Sequence, residues 1–419
     1  MSEWKDKILC DVVSMSKGKL TQQSESPIDD FLPLINTDAV NGKSTIYSAS
    51  KGAILCTDTD VLMLWDGERS GLVTIGHSGV VGSTFAKLKV FDFIDSKYLF
   101  YFLDNRFSWI QNQRTGTGVP HVPKNLDKIL WIKYPEEISE QRQISHILST
   151  CDAVIEKTQA AIAKYKAIKQ GMLHDLFTRG VDITTGKLRP KYEDAPALYK
   201  ESKLGMVPKE WEVETFEETT LKIADRDHFT PIYVDSGVAI ISPKDFDENE
   251  EISFSECKYI TYEAHLKNAE KTDLKTGDLV FTRIGALLGK VCMVEEWMPE
   301  FSILHSACMI RVNPKSMDGN FYLQFIKSYF FQGQIKMEIQ SIGVPDLGLD
   351  KIKSFLVFRP SLIEQRVIGA KLISIDRSIK YEKIILNKLQ QLKAGLMADL
   401  LSGKKRVPVP EEATTQTEN

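Results

Sequence analysis

Apolar residues recur at alternating steps of four and three along two long stretches of the chain, Glu140 to Thr178 and Glu364 to Ser402. This spacing places them in a seam along one face of an α-helix, as in a coiled coil. Because neither stretch contains proline, each predicts one continuous helix of about 58 Å, at a rise of about 1.5 Å per residue. Ser361 and Glu364 have the spacing of a capping box for the second helix. The seam residues are Ile144, Leu148, Ile155, Ile162 and Leu176 in the first helix, and Ile368, Leu372, Ile379, Leu386 and Leu400 in the second.

The two stretches are copies of one another. At a constant offset of 224 residues, without a gap, twelve of 39 positions are identical, including Glu140-Gln141-Arg142 and Glu364-Gln365-Arg366. A match of this length indicates internal duplication. So long an apolar stripe needs a partner, and the nearest partner is the other copy. The sequence therefore predicts a coiled coil within one chain, and its connectivity predicts that the two helices are antiparallel.

The segments before the two helices are also related. Asp60-Val61-Leu62 leads into a Gly-x-x-x-Gly loop at Gly67, and Asp278-Leu279-Val280 leads into the same loop at Gly285. Each set predicts a buried strand, a glycine loop and a further strand. A Gly-Val-Pro turn also occurs twice, at residues 118–120 and 343–345.

The repeats predict an order of domain, helix, domain, helix. We expect a first globular domain at 1–135, a first helix at 136–180, a linker at 181–203, a second domain at 204–360, a second helix at 361–403 and a disordered tail at 404–419. The predicted fold class is α/β (α+β), with two globular domains separated by two long helices. These helices form an antiparallel coiled coil, and the whole has a pseudo-twofold internal repeat.

Composition narrows the class of protein. The chain has 419 residues, of which 42% are hydrophobic and 26% charged, and it is too long for a single core. No apolar run reaches the roughly eighteen residues of a membrane span, so we expect a cytoplasmic protein. The six cysteines form no Cys-x-x-Cys pair, which predicts reduced thiols and no zinc site. The net charge of −4 argues against a uniformly basic surface but allows local basic grooves.

No catalytic constellation is predicted. The segment from Gly285 to Lys290 resembles a phosphate-binding loop, but it has one residue too few between its glycines, and a valine replaces the magnesium-binding Ser or Thr. Asp346 with Asp350 and Lys353 faintly resembles a nuclease cluster, but the carboxylates are too close in sequence. The chain also lacks an Asn-Pro-Pro-aromatic motif and a methyl-donor loop. We therefore predict that the chain is not an enzyme and holds no metal or cofactor.

Two related domains on a rigid spacer would present two recognition surfaces at a fixed distance, which suits the regular repeat of duplex DNA. The candidate contacts lie on the glycine loops and around the Gly-Val-Pro turn. Arginine reads guanine with two hydrogen bonds, whereas Lys, Ser and Thr mostly bind phosphate. The predicted DNA-binding residues are Trp65, Arg69, Ser70, Arg114, Thr115, Thr117, Lys124, Arg283 and Lys290.

The chain resembles the specificity subunits of type I restriction–modification systems over nearly its whole length. The resemblance is carried by the two helical repeats and by Leu64-Trp65-Asp66-Gly67, Gly82-Ser83-Thr84, Thr185-Gly186-Lys187-Leu188-Arg189-Pro190 and Leu204-Gly205-Met206-Val207-Pro208. It implies two target recognition domains, each reading one half of a bipartite site in double-stranded DNA. It also implies that the helices fix the spacer and dock two methyltransferase subunits, and that motor-nuclease subunits join for cleavage. S-adenosylmethionine, ATP and magnesium would belong to those partner subunits.

Two other interpretations stay open at this point. The helices could form a coiled-coil scaffold that binds proteins rather than DNA, which salt-dependent binding to duplex DNA would distinguish. A self-sufficient adenine methyltransferase would require methyl transfer by the purified chain.

Overall fold

The computed structural model describes residues 3–43, 45–116, 118–339 and 345–408. Contacts divide the chain into two compact units. Unit 1 is Met1–Ala160 with Lys383–Asn419, and unit 2 is Ala161–Glu382. The division falls inside the two long helices, so each unit contains one globular domain and one end of each helix.

Unit 1 begins with a strand-rich domain that leads into the first long helix. Its strands are β1 (Trp4–Ile8), β2 (Val13–Lys17), β3 (Gln23–Ser24), β4 (Phe31–Ile35), β5 (Tyr47–Ala49), β6 (Leu55–Cys56), β7 (Val61–Leu64), β8 (Val73–Thr74), β9 (Gly79–Val81), β10 (Phe85–Val90) and β11 (Trp131–Pro135). Its helices are α1 (Thr37–Val40), α2 (Ser96–Asn105), α3 (Phe107–Asn112), α4 (Leu126–Ile129) and the first part of α5 (Ile138–Thr178).

The sheets of unit 1 have the orders β2-β10-β7-β8, β3-β5-β4-β9-β6 and β1-β11. Strand β7 is buried at all four positions, because both faces of its sheet are covered. Val61 and Met63 pack into the main core with α2, whereas Leu62 and Leu64 pack into a second core. This explains why the strand is a continuous apolar run rather than an alternating one.

Unit 2 contains the second strand-rich domain. Its strands are β12 (Tyr199–Ser202), β13 (Gly205–Pro208), β14 (Glu212–Thr215), β15 (Thr220–Ala224), β16 (Val238–Ile241), β17 (Lys258–Ile260), β18 (Leu279–Thr282), β19 (Val291–Met293), β20 (Phe301–Ile303), β21 (Ala307–Val312) and β22 (Leu356–Arg359). Its helices are α6 (Phe216–Thr219), α7 (Tyr262–Ala269), α8 (Gly319–Ile326), α9 (Tyr329–Glu338), α10 (Leu349–Ser354) and the first part of α11 (Leu362–Leu400).

The sheets of unit 2 repeat those of unit 1. Order β15-β21-β18-β19 matches β2-β10-β7-β8, and the pair β14-β22 matches β1-β11. A third sheet, β17-β16-β20, pairs β16 with β20 in parallel, as β4 pairs with β9. The glycine-loop strands β7 and β18 occupy the same place in the two sheets. The predicted fold class, with mixed sheets, long helices and an internal repeat, is confirmed.

The identical glutamines of the two helical repeats have the same structural role. The side-chain amide of Gln141 bonds Asp95, the N-cap residue of α2, and the carbonyl of Pro135. Gln365 makes the matching bonds to Asp318, the N-cap residue of α8, and to a carbonyl ahead of α11. Each glutamine therefore connects the start of a long helix to a helix of the adjoining domain.

Glu364 is buried, and it has a different role from the predicted capping box. Its backbone N–H donates to Ser361 Oγ at 3.3 Å, which is one half of such a box. Its carboxylate instead accepts from Arg189, from the Trp211 indole N–H at 3.1 Å and from the Val181 backbone N–H at 2.8 Å. The capping-box prediction is therefore only half correct, because a buried carboxylate is held by charged and indole donors from distant residues.

The two helices run antiparallel within each unit. In unit 2, Glu364 near the start of α11 bonds the backbone just past the end of α5, while Asp376 further along α11 pairs with Lys169. As the contacts move along α11 away from its start, their partners on α5 lie further from the end of α5. The two helices therefore run in opposite directions. The predicted antiparallel sense is confirmed.

Unit 1 repeats this arrangement at the other ends of the helices. Glu140 near the start of α5 accepts two hydrogen bonds of 2.7 Å from Arg406, which lies beyond the end of α11. The Arg406 guanidinium also lies 5.7 Å from the ring centre of Trp4. Residues 404–408, which the sequence assigned to a disordered tail, thus make specific contacts, and residues 409–419 lie outside the described part of the chain.

Most predicted seam residues are buried, and many of them serve the domain cores. Ile144, Leu148 and Leu400 belong to the main core of unit 1, and Leu176, Ile368 and Leu372 to that of unit 2. Ile162 is also buried, whereas Ile155, Ile379 and Leu386 are half-buried. The ends of each helix are therefore packed into globular domains, and the seam is less covered towards the middle.

Candidate nucleic-acid interface

Three loops of unit 1 meet at one edge of its four-stranded sheet, and we call them the unit 1 rim. They are residues 17–22 after β2, residues 65–71 between β7 and β8, and residues 114–116 with 118–124. The backbone N–H of Gly67 donates to the carbonyl of Pro120 at 2.9 Å, and that of Val122 donates to Trp65 at 2.9 Å. These bonds connect the glycine loop to the segment around the Gly-Val-Pro turn.

Asp66 is the electrostatic centre of the unit 1 rim. Its two carboxylate oxygens lie 2.9 Å from Lys17 Nζ and 2.7 Å from His121 Nδ1. One carboxylate therefore holds side chains from both neighbouring loops. Arg114 fixes the glycine loop from another side, because Nη1 donates to the carbonyl of Glu68 at 2.6 Å.

The unit 2 rim is built at the matching edge of its sheet, from residues 225–234 after β15, 283–290 between β18 and β19, and 345–347. Gly285 N–H donates to the carbonyl of Pro345 at 2.9 Å, as Gly67 does to Pro120. The electrostatic centre of the unit 2 rim is a cation rather than a carboxylate. Arg283 is buried, and its guanidinium lies 2.7 Å from Asp225 and 2.8 Å from Asp346.

Arg283 is accompanied by a pair of histidines, the exposed His228 and the half-buried His305, and by the buried Arg226. The His228 and His305 rings stack with 5.0 Å between their centres, and Arg283 Nη2 lies 3.2 Å from His228 Nε2. Burial lowers the pKa of His305, and the charges of His228 and Arg283 lower it further. Burial also lowers the pKa of Arg226, whose guanidinium stacks 4.4 Å from the ring centre of Phe229. The lowered pKa favours the neutral form of His305, and Asp225 and Asp346 offset the charge of Arg283.

A cleft of about 770 Å³ lies beside the unit 2 rim. The glycine loop contributes Gly285 to its lining, and Lys244 and Lys258 bring two exposed ammonium groups. Asp245 and Glu256 line it as well. The cleft thus carries balanced charge, with two cations and two carboxylates in its lining.

Five of the nine predicted DNA-binding residues have side chains at or near the rim surface. Arg69, Thr115 and Lys124 are exposed in unit 1. Arg114 is half-buried and engaged with backbone carbonyls. Lys290 is also half-buried, and its Nζ donates to the carbonyl of Asp247 at 3.1 Å.

Three predicted contacts are buried, contrary to their expected place on exposed loops. Trp65 packs into the main core of unit 1, and Ser70 is completely covered. Arg283 is enclosed by the two aspartates it binds. These side chains support the loops from beneath, because the glycine loop folds back onto the sheet. The ninth residue, Thr117, lies outside the described residues.

Apart from Arg283 and Arg114, the residues that organise the two rims were not among those predicted. Lys17 and Asp225 lie in loops for which no contact was predicted. His121 directly follows the first Gly-Val-Pro turn but was not among the predicted contacts, and Asp346 was noted only as part of a nuclease-like cluster. Asp66 stood inside a family motif without an assigned role. The available signal was position: Asp66 lies in the first glycine loop, and Asp346 follows the second Gly-Val-Pro turn at the place where His121 follows the first.

In the described part of the chain, no group of three or more His, Cys, Asp or Glu side chains could hold a metal ion. The helices of that part include none that is long and apolar enough to cross a membrane.

Comparison with known proteins adds to this geometry. The family model of the type I restriction modification DNA specificity domain matches residues 1–165 and 229–391. The chain is 26% identical over 418 residues to the specificity subunit of the type I restriction enzyme MjaVIII from Methanocaldococcus jannaschii, covering 97% of this chain and 93% of that protein. It is 25% identical over 331 residues to the putative MjaX specificity subunit of the same organism, covering 75% and 69%.

Solved structures share the fold. The S subunit of a type I restriction–modification system from M. genitalium aligns with a TM-score of 0.64 at 15% identity, over 95% of this chain and 96% of that chain. A structure described for complex assembly and conformational transition of the type I system aligns with a TM-score of 0.51 at 14% identity, over 95% and 97%.

The mixed sheets and long helices of this chain form the fold seen in these solved S subunits. The chain belongs to the type I restriction–modification DNA specificity family, because the family model covers most of its length. This membership confirms the resemblance and the prediction of a non-catalytic recognition subunit. It gives no support to the coiled-coil scaffold or to a self-sufficient methyltransferase.

Proposed function

We propose that each unit reads one half of a bipartite target in duplex DNA through its rim. The helices set the unread spacer and dock two methyltransferase subunits, and motor-nuclease subunits join for cleavage. S-adenosylmethionine, ATP and magnesium act in those partner subunits, and the whole complex works in the cytoplasm.

One observation carries the proposal: the same three-loop frame is built twice and held by different side chains. Asp66 with two basic partners holds the unit 1 rim, whereas Arg283 with two carboxylates holds the unit 2 rim. Two readers of different sequences need this combination, because a shared frame fixes where the loops lie while the loop residues determine the bases read.

The exposed groups of the rims suit duplex DNA. In unit 1, Arg69 suits base or phosphate contact, and Lys124 and Thr115 suit phosphate. In unit 2, Lys244 and Lys258 flank the cleft beside the glycine loop. The net charge of the chain is −4. These cations lie on or beside the rims, so they can attract phosphate locally even though the chain as a whole is acidic.

Exposed apolar side chains on the long helices support docking of protein subunits. Large apolar side chains on a helix surface mark protein contacts when they recur along it. The exposed ones on α5 and α11 are Val154, Ile168, Ile363, Tyr381, Ile384 and Leu392.

The test is reconstitution. The purified chain alone should neither methylate nor cut DNA, and with its methyltransferase subunits it should direct adenine methylation to one bipartite sequence. Sequencing of methylated adenines in a host with the complete system gives both half-sites and the spacer. Robust methylation by the rigorously purified chain, or methylation that ignores one half-site, would contradict the proposal.

A further inference from the structure

Two apolar side chains are exposed far beyond the others on the described surface. Leu20 is 84% exposed in unit 1 and Ile232 is 85% exposed in unit 2. Single exposed apolar residues are common on protein surfaces, but these two occupy matching places. Leu20 lies in the loop after β2 and Ile232 in the loop after β15, the equivalent edge strands of the two four-stranded sheets.

The loop that carries Leu20 is held firmly at its start. Lys17 pairs with Asp66 at one end, where the N–H of Gly18 also donates to Phe85 at 2.9 Å. A Cβ at Gly18 would lie 2.2 Å from the carbonyl oxygen of Gly82, so only glycine permits this approach. Because its base is held this closely, the loop projects Leu20 from the unit 1 rim instead of folding it back.

The loop that carries Ile232 is fixed in its own way. Asp225 pairs with Arg283 at its start, and the N–H of Val234 donates to Tyr259 at 3.0 Å at its end. Between them the buried Arg226 donates to the carbonyl of Phe229 at 2.6 Å. Different residues therefore achieve the same result, an apolar tip held out from a rim.

Both rims carry exposed cations beside exposed carboxylates, Glu68 in unit 1 and Asp227 in unit 2. In unit 1, the exposed cations Lys19, Arg69 and Lys124 lie on the same rim as Leu20. In unit 2, Lys258 Nζ lies 4.2 Å from the ring centre of Tyr233, the residue next to Ile232. An apolar tip among cations complements a DNA groove, which offers base edges between two rows of phosphates. In the major groove the apolar group is the C5-methyl of thymine.

We propose that Leu20 and Ile232 are the apolar base contacts of the two rims, each entering a groove of its half-site and packing against base edges. This inference rests on the proposed function and adds to it two specificity-determining residues. Leu20 contributes to recognition of one half-site only, and Ile232 to the other only.

The test uses the complex of the full chain with its methyltransferase subunits. Leu20→Ser and Ile232→Ser are compared with Leu55→Ser and Leu221→Ser, which change exposed leucines away from the rims in units 1 and 2. Initial methylation rates are measured on duplexes in which every position of both half-sites is varied. We expect about a tenfold loss on the cognate duplex, the effect of one apolar contact of this size, and weaker discrimination at one or two positions of a single half-site. The controls should match wild type.

Replacement of thymine by uracil in each half-site sharpens the test. If the tip contacts a thymine methyl, uracil slows the wild-type complex at that position but leaves the matching serine variant unaffected. Rim variants that keep wild-type rates and preferences contradict the inference alone, as does a defect confined to binding of the methyltransferase subunits, which would indicate a protein partner. A wild-type complex without bipartite specificity would instead contradict the proposed function.

Discussion

Asp152 on α5 forms an ion pair with Lys393 on α11, with 2.6 Å between Oδ1 and Nζ. The duplicated residues form the same pair in unit 2, where Asp376 on α11 lies 2.6 Å from Lys169 on α5. In each unit the residue numbers of the pair add up to 545, as expected for one antiparallel register. The two matching ion pairs are therefore evidence of both the duplication and the antiparallel alignment of the helices.

Each aspartate of this pair also contacts a domain helix. The hydroxyl of Tyr101 on α2 donates to Asp152 at 2.7 Å, and the amide of Gln324 on α8 donates to Asp376 at 2.8 Å. Burial and the nearby carboxylate raise the pKa of Tyr101, so its hydroxyl stays protonated and keeps donating. The aspartates thus join three elements, the two long helices and the adjoining domain.

Removal of the lysine should weaken the unit that contains it. We expect Lys393→Met to reduce the free energy of unfolding of unit 1 by about 1–2 kcal/mol, because the half-buried Asp152 keeps its charge but loses its cation. Urea denaturation followed by tryptophan fluorescence measures the change, since Trp4, Trp65, Trp109 and Trp131 all lie in unit 1. Lys388→Met, at an exposed position of the same helix, should change stability by less than about 0.5 kcal/mol. Equal effects of the two variants would show that the pair has no special role.

The segment after α11 should be required for the stability of unit 1. A chain that ends at Pro408 keeps Arg406 and should unfold like the full chain. A chain that ends at Gly403 lacks Arg406, which donates twice to the buried carboxylate of Glu140, and should lose about 2–4 kcal/mol. Differential scanning calorimetry of the two truncations checks this.

A point variant separates the effect of Arg406 from that of chain length. Arg406→Met in the full chain should reproduce most of the loss, whereas Lys405→Met, whose side chain is largely exposed, should not. If the chain ending at Gly403 were as stable as the full chain, Glu140 would not depend on this partner.

The difference between prediction and structure has a physical pattern. The helices were predictable because their apolar period and their duplication are local signals; α5 begins at Ile138, two residues before the predicted stretch. Arg406 was assigned to a disordered tail because its partner Glu140 lies 266 residues away. Arg283 was expected on an exposed loop for the same reason, since Asp225 and Asp346 are 58 and 63 residues distant. Glycine spacing predicts a turn, but it does not predict which side chain the turn buries.

The exposed rim cations should contribute to phosphate binding in the assembled complex. Arg69→Ala and Lys124→Ala should each make the slope of log K against log salt less negative by about one. Lys51→Ala, an exposed lysine outside the unit 1 rim, is the matched control and should leave the slope unchanged. Fluorescence anisotropy with a cognate duplex between about 50 and 200 mM salt covers the range over which such slopes are measured. Identical slopes for all three variants would remove Arg69 and Lys124 from the interface.

Each domain should read its half-site independently, because each has its own sheets, core and rim. Replacement of Met1 to Tyr134 by the equivalent domain of another specificity subunit should change one half-site and preserve the other and the spacer. Methylome sequencing of a host carrying the hybrid with its partner subunits gives the answer directly. A hybrid that changed both half-sites, or neither, would show that recognition is not divided between the units.

The length of the helices should determine the spacer between the half-sites. Seven residues added after Ala163 and seven after Asn387 keep the heptad phase in both helices. In this double insertion the residue numbers of both ion pairs, Asp152 with Lys393 and Asp376 with Lys169, add up to 559 instead of 545, so a common register is restored. An insertion after Ala163 alone would move Lys169 along α5 but would leave Asp152 in place. The ion pairs of the two units would then require different registers of the same two helices.

We therefore expect the single insertion to misassemble and the double insertion to fold. Seven residues lengthen the pair by about 10 Å, which corresponds to about three base pairs at roughly 3.4 Å each. Rotation of the readers about the duplex will reduce affinity, so the decisive measurement is the methylome rather than the binding constant. Both half-sites should persist while the spacer grows by about three positions. A functional double insertion that kept the original spacer would show that the helices dock partner subunits without measuring the DNA.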